Sequence, residues 1–119
     1  MEPQPAMDLT AALNRVDGDH DLFLTLARMF IERSAQDLEA IRAALAAQNL
    51  PMLSRLAHTL RGSALEFCAE ATVLAAQRLE ESARRSAAHD ARSLCHRVEA
   101  EVKRLIDALQ EIIEKGLPS

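Results

Sequence analysis

The amino-acid sequence predicts an all-α fold: an antiparallel four-helix bundle with an additional short N-terminal helix. The composition favours helices, because Ala, Leu, Glu, Arg and Gln dominate, Tyr and Trp are absent and Gly occurs only three times. Apolar residues recur mostly three and four positions apart in long segments, which is the spacing of an amphipathic helix. Short connections between these segments favour antiparallel packing around one core.

The chain is predicted to hold one domain. Its 119 residues are enough for a single core and too few for two. Residues 1–7 carry Pro3 and Pro5 and no apolar period, so we expect a disordered tail or the remnant of a linker there. The bundle domain is expected over residues 8–117.

Cap and stop residues delimit the first two helices. A short, lid-like helix is predicted from Asp8, a good N-cap, to about Val16, with a stop at the Asp17-Gly18 pair. The second helix is predicted over residues 19–48. The residues expected to form its core face are Leu22, Leu26, Met29, Phe30, Leu38, Ile41 and Leu45.

Three further helices follow with short connections. Asn49 is a good cap and Pro51 suits a first helical turn, so a third helix is predicted over residues 50–65. A fourth is predicted over residues 69–87 and a fifth over residues 90–115. The fifth helix is expected to place Leu94, Val98, Val102, Leu105, Leu109 and Ile112 inward and to end at Gly116.

Charge and hydropathy argue against several classes of protein. A formal net charge of −4 and only three aromatic residues disfavour nucleic acid as a partner. The chain has neither a run of about 18 apolar residues nor a signal peptide, so we expect a cytoplasmic protein without membrane contact. Cys68 and Cys95 are expected to be small hydrophobic residues. No His follows a Glu by three residues, which disfavours a metal centre.

His58 is predicted to point away from the core on the third helix. At about 100° per residue it lies about 140° from Leu53, outside the apolar sector. Gly62 follows one turn later on the same side, inside a helix, where Gly costs about 1 kcal/mol relative to Ala. The missing side chain leaves room for another protein's backbone or a phosphoryl group to approach the imidazole. The apolar sector consists of Leu53, Leu56, Ala57, Leu60 and Ala64.

A polar cluster is expected around His58 when the third and fourth helices fold back on each other near residues 67–69. The antiparallel register then places His58 opposite Glu80, Arg61 opposite Gln77, Ser54 opposite Arg84 and Leu65 opposite Val73. Glu80 and Arg84 also have the i, i+4 spacing of an ordinary surface ion pair. Leu65 and Val73 either form the floor of a docking surface or pack the turn against Phe67.

The segment Ala57-His58-Thr59-Leu60-Arg61-Gly62-Ser63-Ala64 resembles the signature of histidine-containing phosphotransfer (HPt) domains. The likeness continues at Ala12-Leu13, the Asp17-Gly18-Asp19 turn, Met29-Phe30, Ala43-Ala44-Leu45 and Leu79-Glu80. It implies that His58 accepts a phosphoryl group from a receiver-domain aspartate and donates it to another. It also implies that Arg61 replaces a usual lysine, that Gly62 gives access and that Glu80 is the partner of the imidazole. Cys68 departs from the family pattern, because many members have Gly there.

This resemblance sets the expected mechanism and partners. Glu80 is expected to accept from Nδ1–H of His58 and so leave Nε2 free to attack, while Arg61 and Arg84 supply positive charge to the phosphate. The partners are expected to be receiver domains of response regulators or a hybrid histidine kinase. No cofactor of its own is expected, with Mg²⁺ supplied by the receiver.

We expect a phosphocarrier rather than an enzyme, since the sequence has no Gly-rich phosphate loop for a kinase. Two alternatives remain. One is a helical adaptor that binds receivers without passing phosphate, and the other is the phosphate-accepting domain of a chemotaxis-type histidine kinase. A monomer is expected, because the faces of the bundle cover one another.

Overall fold

A computed structural model describes residues 4–85 and 88–117, and these residues form five helices and no strand. The helices are α1 (Leu9–Arg15), α2 (His20–Ala46), α3 (Leu50–Leu65), α4 (Glu70–Arg84) and α5 (Ala88–Lys115). Around the bundle α3 packs on α4, α4 on α5, and α2 on both α3 and α5. The predicted all-α bundle with an extra N-terminal helix is therefore confirmed.

The observed helix ends agree with the predicted ones to within a few residues. The bounds of α3 agree fully, whereas α5 begins two residues earlier than predicted. Residues 86–87, at the predicted end of α4, lie outside the described residues, as do residues 1–3 of the predicted tail. Met7, in the same predicted tail, packs against the core.

Side-chain caps start three of the helices. The carboxylates of Asp8 and Asp19 and the amide oxygen of Asn49 accept hydrogen bonds from backbone N–H groups three residues later, at 3.1, 3.0 and 3.2 Å. Such caps each stabilise a helix by about 1 kcal/mol. They explain why the starts of α1, α2 and α3 were predictable from the sequence.

The turn between α3 and α4 passes through a residue with a left-handed backbone. Cys68 has φ of +49°, and its backbone N–H donates to the carbonyl of Leu65 at 3.0 Å. A residue with a Cβ pays about 1–2 kcal/mol for this conformation, which Gly adopts freely. Cys68 thus keeps the turn that a glycine would make, at the expense of some stability.

Three phenylalanines hold this turn against α2. Phe67 contacts Phe23 and Phe30 edge to face, with ring centroids 5.8 and 5.4 Å apart. All three rings are buried, and pairs of this kind add about 0.5–1.5 kcal/mol beyond their area. The hairpin formed by α3 and α4 is therefore fixed to α2 from within the core.

The predicted core face of α2 is wrong in part. Leu22 is 43% exposed and Met29 is 51% exposed, whereas Phe23 is buried. The true stripe includes Ala27 and Ser34, two residues that a hydropathy pattern does not mark as core. The residues of α2 that are buried are Phe23, Ala27, Phe30, Ser34, Ile41 and Ala44.

The inward face of α5 follows the predicted pattern. Of the residues predicted to point inward, four are buried and two are half-buried. The buried ones are Val98, Val102, Leu105 and Leu109, and the half-buried ones are Leu94 and Ile112. Gly116 follows the helix with φ of +84°. None of the helices in the described part of the chain is both long and apolar enough to cross a membrane.

Candidate functional site

The outer face of α3 presents His58 to solvent. Leu53, Ala57 and Leu60 are completely buried, and this fixes the rotation of the helix about its axis. The side chain of His58 is 60% exposed as a result. The imidazole therefore lies outside the core, as the helical phase predicts.

A carboxylate from the neighbouring helix holds one nitrogen of this ring. Nδ1 of His58 lies 2.9 Å from Oε2 of Glu80, a hydrogen-bond distance. Glu80 is only 14% exposed, and it follows the completely buried Leu79 on α4. Helix packing therefore positions the carboxylate, and the antiparallel register brings it opposite His58 as expected.

Arg61 reaches the same place from one turn along α3. Its terminal Nη2 lies 3.1 Å from Nδ1 of His58, and its Nε lies 3.7 Å from Oε1 of Glu80. Arg61 was expected to lie opposite Gln77, and among the described residues no hydrogen bond joins these two side chains. Gln77 instead donates to Glu81 at 3.4 Å. A guanidinium prefers a carboxylate to an amide, which explains the difference.

The second nitrogen of the ring is available. Within residues 4–85 and 88–117, Nε2 of His58 has no hydrogen-bond partner. A Cβ built on Gly62, one turn away, would meet no atom within 4 Å, and the residue is exposed. Close helix packing therefore does not explain this glycine, and the approach to the ring is open on its side.

Ser54 and Arg84 line a shallow cavity at one end of the site. The cavity measures about 240 Å³ and lies one turn from both His58 and Glu80. Arg84 is exposed, and within the described residues it forms no ion pair with Glu80. The i, i+4 pair considered from the sequence is therefore not formed.

At the other end of the site the two apolar residues differ. Leu65 is 47% exposed, whereas Val73 is half-buried against the core. The turn is filled by Phe67, which is buried. Val73 thus helps to pack the bundle, and only Leu65 presents a large apolar surface to solvent.

One feature of the site was missed in the sequence, namely the contact between Arg61 and the imidazole. Arg61 was expected to bind phosphate, and no direct contact with His58 was foreseen. The spacing i, i+3 on a helix brings such side chains together, and this signal was present in the sequence.

A second cross-helix ion pair lies away from this site. Nε of Arg42 on α2 lies 2.7 Å from Oε1 of Glu99 on α5. The hydrogen bond from Arg42 is the main cause that lowers the pKa of Glu99 and raises that of Arg42. Nearby, burial and then the charge of Glu99 raise the pKa of the Cys95 thiol to about 11. That thiol is protonated at neutral pH, as expected of a packing residue.

Comparison with known proteins agrees with the geometry. The chain belongs to the Hpt domain family, whose model matches residues 25–112. It is accordingly a histidine phosphotransfer domain, a phosphocarrier module that works with receiver domains and kinases in phosphorelays. No curated protein sequence matches this chain significantly.

Two solved structures share the fold. Histidine-containing phosphotransfer protein B from Pseudomonas aeruginosa PAO1 is 23% identical, with a TM-score of 0.88 over 97% of this chain and 100% of that one. The HPT domain of a sensor hybrid histidine kinase from Shewanella is 16% identical, with a TM-score of 0.82 over 96% and 97% of the two chains. The five-helix arrangement therefore recurs at low sequence identity.

Proposed function

We propose that His58 is the phosphorylated residue, accepting the phosphoryl group from one receiver aspartate and passing it to another. The observation that carries this proposal is an exposed imidazole with Nδ1 at a carboxylate, Nε2 without a partner in the described part of the chain, and open space at Gly62. An adaptor that only binds receivers would not need this arrangement.

The residues at the site can perform the transfer chemically. When Glu80 accepts from Nδ1–H, the lone pair of His58 is on Nε2. Nε2 attacks the phosphorus of the aspartyl phosphate, the P–O bond to the aspartate breaks, and the carboxylate leaves with the electron pair. Positioning and charge stabilisation lower the barrier of such displacements. Arg61 and Arg84 supply positive charge from this chain, and Mg²⁺ is expected on the receiver.

The same face is proposed to receive the partner. Exposed Leu65 gives an apolar contact at one end, and Ser54 and Arg84, in the lining of the cavity, give polar contacts at the other. Transient signalling complexes commonly combine such contacts. Gln77 contributes to the polar rim, and Val73 packs against the core at the end of the site where Leu65 lies.

The remaining features of the proposal concern the protein as a whole. We take residues 8–117 as the phosphotransfer domain and expect it to act as a cytoplasmic monomer. It carries phosphate without a catalytic kinase site of its own, so the phosphate comes from another protein. The donor is a receiver domain, either free or part of a hybrid histidine kinase.

Transfer of labelled phosphate from a phosphorylated receiver domain tests the proposal. A receiver domain phosphorylated with radioactive phosphate is mixed with the wild-type protein, with His58→Gln and with His96→Gln, whose histidine is exposed on α5. We expect label on the wild type and on His96→Gln and none on His58→Gln, with unchanged circular dichroism. Undiminished labelling of His58→Gln would contradict the assignment. If the protein binds phosphorylated receivers but acquires no label, the adaptor is favoured.

A further inference from the structure

Two side chains compete for one nitrogen of His58. Nδ1 lies 2.9 Å from a carboxylate oxygen of Glu80 and 3.1 Å from a guanidinium nitrogen of Arg61. An imidazole nitrogen carries either a hydrogen or a lone pair, a carboxylate can only accept, and a guanidinium can only donate. The contact with Glu80 requires Nδ1–H, and the contact with Arg61 requires a bare Nδ1. The two hydrogen bonds therefore exclude each other.

We propose that Arg61 and Glu80 select opposite protonation states of Nδ1, so that Arg61 preserves the phosphohistidine and Glu80 promotes its discharge. This inference rests on the proposed function, in which His58 carries the phosphate. Arg61 acts through the imidazole and is therefore a positioning residue.

In the unphosphorylated protein the competition sets the fraction of reactive imidazole. Hydrogen bonding of Nδ1–H to Glu80 leaves the lone pair on Nε2, which can attack phosphorus. Hydrogen bonding of Arg61 to Nδ1 places the hydrogen on Nε2, which then cannot attack. Arg61 has a second position available, because it is partly exposed and its Nε already lies 3.7 Å from Oε1 of Glu80. Its guanidinium can pair with that carboxylate when it leaves the ring.

In the phosphorylated protein the same competition governs how good a leaving group the imidazole is when the phosphoryl group is transferred. Attack through Nε2 forms the N–P bond while the proton stays on Nδ1. When that proton passes through Glu80 to solvent, Arg61 can donate to the bare Nδ1, and the ring could then leave only as an imidazolate. Return of the proton to Nδ1 lets the ring leave as neutral imidazole. An aspartate oxygen then attacks phosphorus, the N–P bond breaks, and its electron pair returns to Nε2.

The shape of Arg61 suits this role better than that of a lysine. A guanidinium carries several N–H groups in a fixed plane, so it can point one toward the ring and another toward the carboxylate. A single ammonium is a point charge without this geometry. With Arg61 in place of the usual family lysine, one side chain can therefore reach both Nδ1 and the carboxylate.

Other charged groups lie near this face without contacting the ring. Arg84 lies one turn beyond Glu80 on α4, and Arg33 and Asp37 of α2 border a separate cavity on the other side of α3. Within residues 4–85 and 88–117, only Arg61 and Glu80 form a hydrogen bond or ion pair with His58.

The tautomer of His58 gives the first test, and it needs no phosphate. Long-range proton–nitrogen NMR of protein labelled with ¹⁵N-histidine reports which ring nitrogen carries the hydrogen, and the spectrum of His58→Gln identifies the signals. We expect Arg61→Ala to shift His58 toward Nδ1–H and Glu80→Ala to shift it toward Nε2–H. Arg78→Ala removes an exposed arginine from another face of α4 and should change nothing. An unchanged tautomer ratio in Arg61→Ala would overturn the proposal.

The lifetime of the phosphohistidine gives the second test. The protein is phosphorylated with phosphoramidate, and the loss of the His58 phosphate is followed by ³¹P NMR. We expect Arg61→Ala to lose phosphate about five to ten times faster, the factor that the net contribution of one ordinary hydrogen bond supplies. Arg61→Lys should lie between Arg61→Ala and the wild type, Glu80→Ala should be slower, and Arg78→Ala should match the wild type.

The two tests separate the two proposals. An equal rate of phosphate loss in Arg61→Ala and the wild type would overturn the storage role of Arg61 while leaving His58 as the phosphorylated residue. Failure of His58 to acquire phosphate would contradict the proposed function, and the tautomer ratio would still decide whether Arg61 competes for Nδ1.

Discussion

Two cross-helix pairs of similar geometry lie in different parts of this bundle. His58 and Glu80 join α3 to α4 at 2.9 Å, and Arg42 and Glu99 join α2 to α5 at 2.7 Å. In each pair an exposed nitrogen-containing side chain contacts a less exposed glutamate: His58 is 60% exposed and Arg42 is 61% exposed. The chemistry of the nitrogen group differs between the two pairs. A guanidinium is permanently charged and has no lone pair, whereas an imidazole bound at one nitrogen keeps the other for chemistry.

The surroundings of the two pairs also differ, and the larger cavity does not lie at the pair for which phosphotransfer is proposed. Arg42 and Glu99 border a cavity of about 540 Å³, more than twice the size of the one near His58. The phosphoryl group that a phosphotransfer domain accepts is carried by another protein. The site of such a domain must therefore be accessible to that protein and does not need a large cavity. In the proposed function Gly62 gives that access, since a Cβ at this position would meet no neighbouring side chain or helix within 4 Å.

The largest effect is expected when the same substitution is made in each of the two glutamates. We expect Glu80→Gln to slow phosphotransfer about tenfold, because a neutral amide holds Nδ1–H less strongly than a carboxylate does. Its melting temperature should change by less than about 4 °C, since exposed pairs contribute about 1 kcal/mol or less. The matched variant Glu99→Gln should transfer at the wild-type rate. Equal transfer by Glu80→Gln and the wild type would contradict this role of the carboxylate.

A smaller and opposite pair of effects is expected at Gly62. Gly62→Ala should stabilise the fold by about 0.5–1 kcal/mol, because Gly is unfavourable inside a helix and the added methyl group meets no atom. It should nevertheless slow transfer a few-fold by narrowing the approach to His58, and Gly62→Gln should slow it further. Denaturant unfolding and receiver labelling measure the two effects.

Ser93→Ala, on the exposed face of α5, is the control for a change of helix propensity away from the site. It should leave transfer unchanged. Full transfer by Gly62→Gln would show that the glycine has no part in access.

The smallest effect is expected for the Arg42 pair, and it should depend on pH. The pKa of Glu99 is lowered in the folded protein, mainly by the hydrogen bond from Arg42. The pair therefore stabilises the fold above the ordinary carboxyl pKa of about 4.3, and this contribution is lost as the pH falls through the lowered folded value.

Arg42→Gln should accordingly melt slightly below the wild type at pH 7 and together with it in strong acid, with unchanged phosphotransfer. Melting curves at a series of pH values check this expectation. If the difference in melting temperature between Arg42→Gln and the wild type grew toward acid pH, it would contradict a lowered pKa of Glu99.

Most of the fold could be predicted because its signals are local. Cap residues such as Asp8 and Asn49 and the helical period of apolar residues fixed the number and bounds of the helices. The core face of α2 was partly wrong, since Ala27 and Ser34 are buried although neither is strongly hydrophobic. Their burial depends on how closely the neighbouring helices approach, which the sequence of one helix does not contain.

The site was predictable to the level of which residues lie opposite each other. The antiparallel register correctly brought Glu80 to His58, because it depends only on chain direction and the position of the turn. It did not indicate that Arg61 contacts Glu80 and Gln77 contacts Glu81, since a long side chain chooses its partner by charge as well as by position. The roles proposed for these residues stay predictions for the experiments above.

The buried contact of Phe67 with two phenylalanines of α2 has a consequence for how this domain can evolve. The alignment of the α3–α4 hairpin is anchored in the interior, so it does not depend on the polar residues displayed outside. Mutations that retune partner choice on that surface can therefore accumulate without endangering foldability. A lineage of such domains can diversify its signalling connections while inheriting one unchanged scaffold.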